Sequence, residues 1–255
     1  MDRGIWATWY DVVPERKAEY LQWLHGAYLP AMLKRPGYLW AAHVENNNSA
    51  ERAEFNRKRY LYTDDPSVGT GNEFLLLFGG ESAHTFLYPD QKQLAEEASA
   101  RDRDMLRCRL RSRYGVFTEV DRVDGPAIAA RGPGMTAGPI IQMGTYNSHS
   151  VEAEAELCSW YVRHRLPLVK SMPQCVGARR LVSVVGWEKQ SILYEFASIE
   201  EPDGHFSDPH PESIHVITTI THAPHSPTVG YRIWPPVRAM SGKVGTGFPS
   251  DIASR

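Results

Sequence analysis

The chain has 255 residues, 42% of them hydrophobic and 23% charged, a composition that is ordinary for a globular protein and excludes disorder over most of its length. Its 28 basic and 30 acidic residues give a formal net charge of −2, so we expect no nucleic-acid partner. The sequence has no signal-peptide pattern and no apolar run long enough to cross a bilayer, so we expect a cytoplasmic protein with no membrane partner.

The first half of the chain predicts the element order βαββαβ. Apolar runs and alternation predict strands, and apolar residues at helical spacing predict helices. The expected strands are residues 5–10, 38–45, 74–78 and 114–120, and the expected helices are residues 15–34, 83–88 and 90–110. The polar stretch at residues 46–72 is long for a connection, so we expect a surface excursion or a lid.

The second half repeats this order. Its expected strands are residues 140–146, 175–185, 191–198 and 229–234, and its expected helices are residues 151–170 and 211–221. Residues 121–138 are rich in Gly, Pro and Ala, which indicates a linker. The predicted domains are therefore residues 1–120 and 139–240, followed by a small polar tail at residues 241–255 that we expect to be flexible.

Two stretches of the chain match each other at a constant offset of 137 positions. The identical pairs are Trp23 with Trp160, Leu29 with Leu166, Pro30 with Pro167, Pro36 with Pro173 and Ala41 with Ala178. An offset that stays constant through a helix, a turn and the start of a strand predicts a duplicated structural unit.

A βαββαβ unit folds as a four-stranded antiparallel sheet with both helices on one face. The other face of the sheet must be buried, and the second copy of the unit is its natural partner. We therefore predict an α+β fold in which two tandem ferredoxin-like halves pack their sheets together as an intramolecular barrel. One half supplies the partner of the other, so a homodimer is not required, although it stays an open alternative.

The segment from helix to strand resembles the dimeric α+β barrel superfamily, and within it the EthD-like and stress-responsive A/B barrel proteins. Those proteins commonly show a Trp-Tyr pair, a His two residues before a Pro, and a Pro-Gly turn into a strand. The matching residues here are Trp160, Tyr161 and Pro167 in the second half, and Trp23, Pro30, Pro36 and Gly37 in the first. The resemblance implies the fold, but function only broadly, since this fold serves isomerases, monooxygenases, decarboxylases and haem enzymes.

The position two residues before the proline departs from that pattern. It holds Tyr28 in the first half and Arg165 in the second, with His164 one residue earlier. We expect these side chains near the barrel mouths, where a histidine would act as general acid or base. The alternative role of a cation there is to stabilise the end of a helix.

Polar side chains on the strands are candidates for lining the barrel interior. His43 lies in the middle of a predicted strand, and Arg180 stands 137 positions later, beside Arg179. An arginine that points into a cavity would bind a carboxylate or phenolate through its planar fork. The alternative is that one arginine pairs with a core acid such as Glu195 and the other is solvated.

Metal binding is not expected from the sequence. The three cysteines are far apart, and a histidine-rich stretch at residues 205–225 lacks the spacing of metal motifs. Its members are His205, His210, His215, His222 and His225.

We predict a cofactor-independent enzyme that acts on a small aromatic or polyketide-like acid by isomerisation, cyclisation or carbon–carbon cleavage such as decarboxylation. The residues expected to move a proton are His43, His164 and Tyr28. Those expected to bind the aromatic substrate are Arg179, Arg180, Arg165, Trp9, Trp40 and Tyr146. The alternatives are a non-catalytic small-molecule binding or assembly protein and, third, a haem or flavin enzyme of the same fold.

Overall fold

Eight antiparallel strands close into a barrel with helices on its outside. The computed structural model describes residues 2–131, 137–198 and 211–237. The barrel strands are β1 (Gly4–Val12), β2 (Tyr38–Asn46), β4 (Phe74–Gly80), β5 (Arg109–Asp124), β6 (Ile140–Ser148), β7 (Cys175–Val185), β8 (Gln190–Phe196) and β10 (Thr228–Trp234). Two short strands, β3 (Leu61–Tyr62) and β9 (Ile220–His222), extend the sheet beyond the barrel. The predicted α+β barrel is confirmed.

The order of strands is the same in both halves. Around the barrel the strands run β10-β2-β4-β1-β5-β7-β8-β6, and the pairing of β6 with β10 closes the circle. The first half thus contributes β5-β1-β4-β2 and the second β10-β6-β8-β7. The halves meet at two antiparallel seams, between β5 and β7 and between β10 and β2.

The helices cover the outer faces of the sheets. They are α1 (Lys17–Trp23), α2 (Leu29–Met32), α3 (Ala50–Arg59), α4 (Gln91–Glu97), α5 (Ala100–Leu106), α6 (Val151–Trp160), α7 (Leu166–Ser171) and α8 (Pro211–Thr218). Trp23 and Leu24 pack on the outer face of the first sheet, and Leu157 and Trp160 do so on the second. No helix within the described ranges is both long and apolar enough to cross a membrane.

A π-helical turn interrupts the main helix of each half at the same place. The turns span Leu24–Tyr28 and Tyr161–Arg165, which are 137 positions apart. Each is followed by the proline at the second position of the next helix, Pro30 or Pro167. Proline lacks a backbone N–H and its ring crowds the carbonyl four residues earlier, so the helix widens there. The offset seen in the sequence therefore recurs as a shared irregularity of the backbone.

The barrel interior is filled with side chains. Its apolar core comprises Ile5, Ala7, Trp9, Trp40, Ala42, Val44, Leu75, Leu77, Phe117, Ala137, Ile141, Met143, Leu181 and Leu193. Gly79 leaves the space that the Trp40 ring occupies, since a Cβ at this position would lie 2.0 Å from the indole. The strand faces that were expected to shelter a common chamber are therefore packed against each other.

Several predicted boundaries differ from the observed ones. The helix expected at residues 90–110 is broken into α4 and α5, because Ser99 begins a new helix by accepting a hydrogen bond from the backbone of Asp102. β5 begins at Arg109 and continues to Asp124, into the predicted linker. The stretch at residues 46–72, called the excursion below, contains α3 and β3. The predicted tail at residues 241–255 lies outside the described residues.

Candidate functional site

Arg179 and Trp40 belong to a buried charged cluster at one end of the barrel. Arg179 is fully buried and lies 2.6 Å from Asp2 Oδ2 and 3.2 Å from Glu195 Oε1. Trp40 donates to Asp2 at 2.8 Å. Burial opposes ionisation of Asp2, but Arg179 and Arg122 outweigh it and lower the pKa of Asp2 to about 2. Arg179 therefore forms ion pairs within the core and does not line a substrate cavity.

Trp9 lies at the other end of the barrel interior. Its indole donates to Thr228 Oγ1 at 3.2 Å, and the guanidinium of Arg113 lies 3.9 Å from its ring centroid. Burial lowers the pKa of Arg113 to about 10. Trp9 is fully buried in this packing, so it forms core and no pocket wall.

His43 faces outward from the barrel, which corrects the expectation that it lines the interior. Trp40, Ala42 and Val44 occupy the interior face of β2, so His43, at an odd position, lies under the helices. There His43 Nε2 is 2.9 Å from the Tyr10 hydroxyl, and His43 Nδ1 is 2.8 Å from His25 Nε2. Burial, with smaller contributions from nearby charges, holds the pKa of His43 well below its ordinary value.

The second half contains a cavity in the equivalent place, between the outer face of its sheet and its helices. This cavity has a volume of about 70 Å³ and is called the helix–sheet cavity below. The sheet contributes Gln142, Tyr146 and Tyr194, and the π turn contributes Tyr161 and Arg165. Of the residues expected at a site, the structure places only Tyr146 and Arg165 in its wall.

Hydrogen-bond donors converge on this cavity. The hydroxyls of Tyr146 and Tyr161 are 2.7 Å apart, and Arg165 Nε donates to the Tyr194 hydroxyl at 2.9 Å. Burial raises the pKa of both Tyr146 and Tyr161, so the pair keeps both protons. Only one of these protons is used in the bond within the pair, which leaves the other for a ligand. Arg165 has further interactions within the chain besides its bond to Tyr194. Its positive charge and the remaining tyrosine proton make this wall suit an anionic oxygen.

His222 supplies a hydrogen-bond acceptor to the same cavity. Burial lowers the pKa of His222 to about 3, while a backbone hydrogen bond with Leu61 acts weakly in the opposite sense. Its Nδ1 is buried and has no hydrogen-bond partner in the described parts of the chain. A neutral imidazole has one unprotonated nitrogen, so a neutral His222 can accept one hydrogen bond.

The excursion of the first half completes the cavity of the second. β3 pairs in parallel with β9, and Tyr62 stands opposite His222. Arg59 and Tyr60, at the end of α3, lie in the cavity wall. The rings of Tyr60 and His222 are 4.6 Å apart. The excursion is thus a fixed cover rather than a surface loop.

The remaining candidates lie outside the helix–sheet cavity. Arg180 is buried behind it, with its guanidinium 5.6 Å from the Tyr161 ring and in contact with Cys158 and Gln190. His164 lies on the half-buried side of the π turn, 6.2 Å from Trp160. Tyr28 packs against Trp23 in the first half at 4.8 Å, and burial raises its pKa. Tyr28 and His164 are therefore not brought together with Arg165.

Tyr194, Tyr161 and His222 are among the cavity-wall residues that sequence reasoning did not assign to a site. Tyr194 could have been found, because it alternates with Ile192 and Phe196 along a predicted strand. Tyr161 was used only as part of a family motif, although it follows Trp160 at the centre of the repeated segment. His222 was hidden in the histidine-rich stretch, of which His205 and His210 lie outside the described residues.

The residues that line the helix–sheet cavity do not fit a metal ion, a haem or a flavin. Among the described residues no group of three or more His, Cys, Asp or Glu side chains is placed to hold a metal ion. The helix–sheet cavity, at about 70 Å³, is far smaller than the roughly 300–1,000 Å³ typical of cofactor pockets. We derive no step through such a group.

Comparisons with known proteins identify the fold. A crystal structure described as an anthrone oxidase-like protein matches with a TM-score of 0.56 at 6% identity, covering 91% of each chain. A candidate monooxygenase from Lactobacillus acidophilus NCFM matches at 0.48 and 11% identity, covering 91% of this chain and 94% of that one. No family model matches the sequence, and no curated protein matches it. The first similarity shows that the chain shares the α+β barrel fold; at these identities it shows nothing further.

Proposed function

We propose that this α+β barrel protein is a small-molecule enzyme that removes a proton from an enolisable carbonyl compound or a phenol and stabilises the resulting oxyanion. The observation that carries this proposal is the composition of the helix–sheet cavity, whose wall contains Arg165, Tyr146 and Tyr161 together with the imidazole of His222. Preorganised donors of this kind stabilise a developing oxyanion.

The roles follow from the protonation states. The ligand hydroxyl, or the carbon acid beside its carbonyl, gives its proton to the unprotonated ring nitrogen of His222, and the negative charge moves to the oxygen near Arg165 and the tyrosine pair. A neutral imidazole with a pKa of about 3 is a weak base in the empty cavity. An anion formed beside it raises the pKa of His222, because an opposite charge favours the imidazolium. Proton transfer and oxyanion binding therefore support each other.

The volume limits the substrate. About 70 Å³ is less than the roughly 150 Å³ of a cavity that admits benzene. An open-chain acid fits best, and a single ring requires side chains such as Tyr60 to move. A fused-ring polyketide is not accommodated. Isomerisation next to a carbonyl, aldol-type cyclisation and decarboxylation of a β-keto acid all pass through an enolate, and we propose that the reaction belongs to this group.

The test measures the exchange of solvent deuterium into two small keto acids, acetoacetate and oxaloacetate. The exchange is monitored by NMR. We expect enzyme-dependent exchange that is lost in His222→Gln and reduced at least about tenfold in Arg165→Met, the effect of losing one charge-assisted contact. The matched controls are His215→Gln and Arg163→Met, whose side chains are exposed on α8 and on the same π turn. Equal exchange in all four variants would refute the proposal.

A second candidate function is non-catalytic binding of a small molecule. The packed barrel interior and the small cavity both favour it. It predicts that a keto acid binds in the helix–sheet cavity, with Arg165→Met weakening binding, but without any deuterium exchange above the uncatalysed rate.

We further propose that the two halves arose by tandem duplication. The shared strand order and the π turns at a constant offset support this origin. An EthD-like relationship is a narrower proposal that is supported only by the motif residues around Trp160 and Pro167.

A further inference from the structure

A second and larger hollow lies between the excursion and the end of the barrel. It has a volume of about 660 Å³ and is called the excursion cleft below. One wall is α3 with its preceding residues, and the other is formed by residues 224–229 together with Asp11 and Arg111. This volume falls within the roughly 300–1,000 Å³ of small-molecule sites.

Uncharged polar residues are the largest class among the residues that line the excursion cleft. It includes five asparagines and the hydroxyl groups of a serine, a tyrosine and three threonines. Side-chain amides both donate and accept hydrogen bonds, and so do hydroxyl groups. Such a lining matches a ligand that carries many groups of mixed donor and acceptor character.

Four polar atoms of this lining lack partners. Asn46 Oδ1, Asn56 Oδ1, Asn72 Oδ1 and the Tyr62 hydroxyl are buried and make no hydrogen bond to any described residue. Leaving a buried polar group unpaired costs about 1–3 kcal/mol. Four such groups lie around one hollow. Small rotations of these side chains toward a ligand would form new hydrogen bonds and so stabilise the complex.

Most charged groups of the cleft are already engaged within the chain; the exception is Arg57, which is exposed and whose Nε donates to the Ala53 carbonyl at 3.4 Å. Arg111 pairs with Asp11 Oδ2, and Asp11 Oδ1 accepts from the backbone N–H groups of Asn72 and Glu73, both at 2.8 Å. Burial opposes ionisation of Asp11, but these bonds outweigh it and lower the pKa of Asp11. Arg52 also has interactions within the chain. An anionic ligand would have to compete with these contacts, whereas a neutral one would not.

We propose that the excursion cleft binds a neutral polyhydroxylated molecule of mono- or disaccharide size. The hydroxyls of such a ligand pair with Asn46, Asn56, Asn72 and Tyr62, and the ion pair of Asp11 with Arg111 stays intact at the rim. The excursion cleft is a different hollow from the helix–sheet cavity, although Pro227 contributes to both walls, and this proposal does not depend on the function proposed for that cavity.

The experiment is saturation-transfer NMR on the full chain with maltose and myo-inositol as probes, and inorganic phosphate as competitor. We expect saturation transfer to at least one polyol at millimolar concentration, weakened about tenfold in Asn56→Leu and in Tyr62→Phe, as the loss of a hydrogen bond implies. The control is Tyr88→Phe, whose side chain is exposed far from the cleft. Both test variants remove an unpaired polar atom, so thermal unfolding should show that they fold at least as stably as the unmodified chain.

Three outcomes would overturn the proposal. One is the absence of saturation transfer from either polyol, which would leave a water-filled cleft. Another is transfer that persists unchanged in both test variants. The third is displacement of the polyol by phosphate, which would identify an anion site.

Discussion

The ring of Tyr60 lies 4.6 Å from the ring of His222, so a residue of the first half covers the buried histidine of the second. Tyr60→Ala should admit water to His222 and raise its pKa from about 3 toward the ordinary value near 6.5, because burial is the main cause of the shift. An NMR titration of the histidine ring measures this change. Tyr88→Ala is the control, and an unchanged His222 pKa in Tyr60→Ala would contradict the role of the cover.

Stability should fall on mild acidification, because His222 must stay neutral in the folded chain. The pKa of His222 is near 6.5 in the unfolded chain and about 3 in the folded chain. Its contribution to the free energy of unfolding is therefore fully present above pH 6.5 and is lost as the pH falls toward 3. Between pH 7.5 and pH 5, His222→Gln should lose about 2 kcal/mol less free energy of unfolding than the unmodified chain. Denaturant titrations at both values measure this difference.

The control for that comparison is His215→Gln, whose side chain is 65% exposed. It should show the same pH dependence as the unmodified chain. If His222→Gln also follows the unmodified chain between pH 7.5 and pH 5, His222 is not held neutral by burial.

The charged cluster inside the barrel should contribute strongly to the free energy of unfolding. Arg179→Met leaves Asp2 and Glu195 without their shared partner and should lower the free energy of unfolding by about 3–5 kcal/mol. Lys58→Met, which breaks an exposed pair with Glu54, should cost less than about 1 kcal/mol. Equal losses for the Arg179 and Lys58 variants would show that the cluster is not structural.

Replacing glycine with alanine should change the free energy of unfolding in different ways at two positions. Gly79→Ala places a methyl group against the Trp40 ring and should destabilise the barrel by about 3 kcal/mol or more. Gly26 lies on the π turn with no atom within 4 Å of an added Cβ, so Gly26→Ala should be neutral or stabilise by up to about 1 kcal/mol. Thermal unfolding of the two variants distinguishes them, and a tolerated Gly79→Ala would mean that the interior is not packed as described.

Much of the barrel could be predicted from sequence because its strands are local signals. The apolar run at Phe74–Gly80 and the alternation at Tyr38–Asn46 each predict a strand without reference to any other part of the chain. Alternation defines two faces, however, and does not say which one is interior. Which face is interior depends on the packing of Trp40 over Gly79, a contact between residues that are distant in sequence. Because Trp40 lies on the interior face, His43 lies on the outer one.

Most of the candidate site could not be predicted, because it is assembled from distant segments. His222 lies on a strand of three residues that pairs with Leu61–Tyr62, and no local pattern connects these segments. Arg179 and Arg180 illustrate the same limit. Their adjacency in the sequence showed that they would face opposite ways, but not that Asp2 would be the partner of Arg179. The predicted catalytic set of His43, His164 and Tyr28 is spread over two halves for this reason.

The central claim is that the helix–sheet cavity stabilises an oxyanion, and the ionisation of bound 4-nitrophenol tests it most directly. This single-ring probe enters the cavity when side chains such as Tyr60 move, and its absorbance reports whether it is bound as the phenol or as the phenolate. We expect its pKa to fall on binding, because Arg165 and the pair of Tyr146 and Tyr161 favour the anion. Arg165→Met should abolish the shift, and Arg163→Met should preserve it. A bound probe whose pKa rises, as burial without donors would cause, would contradict the account.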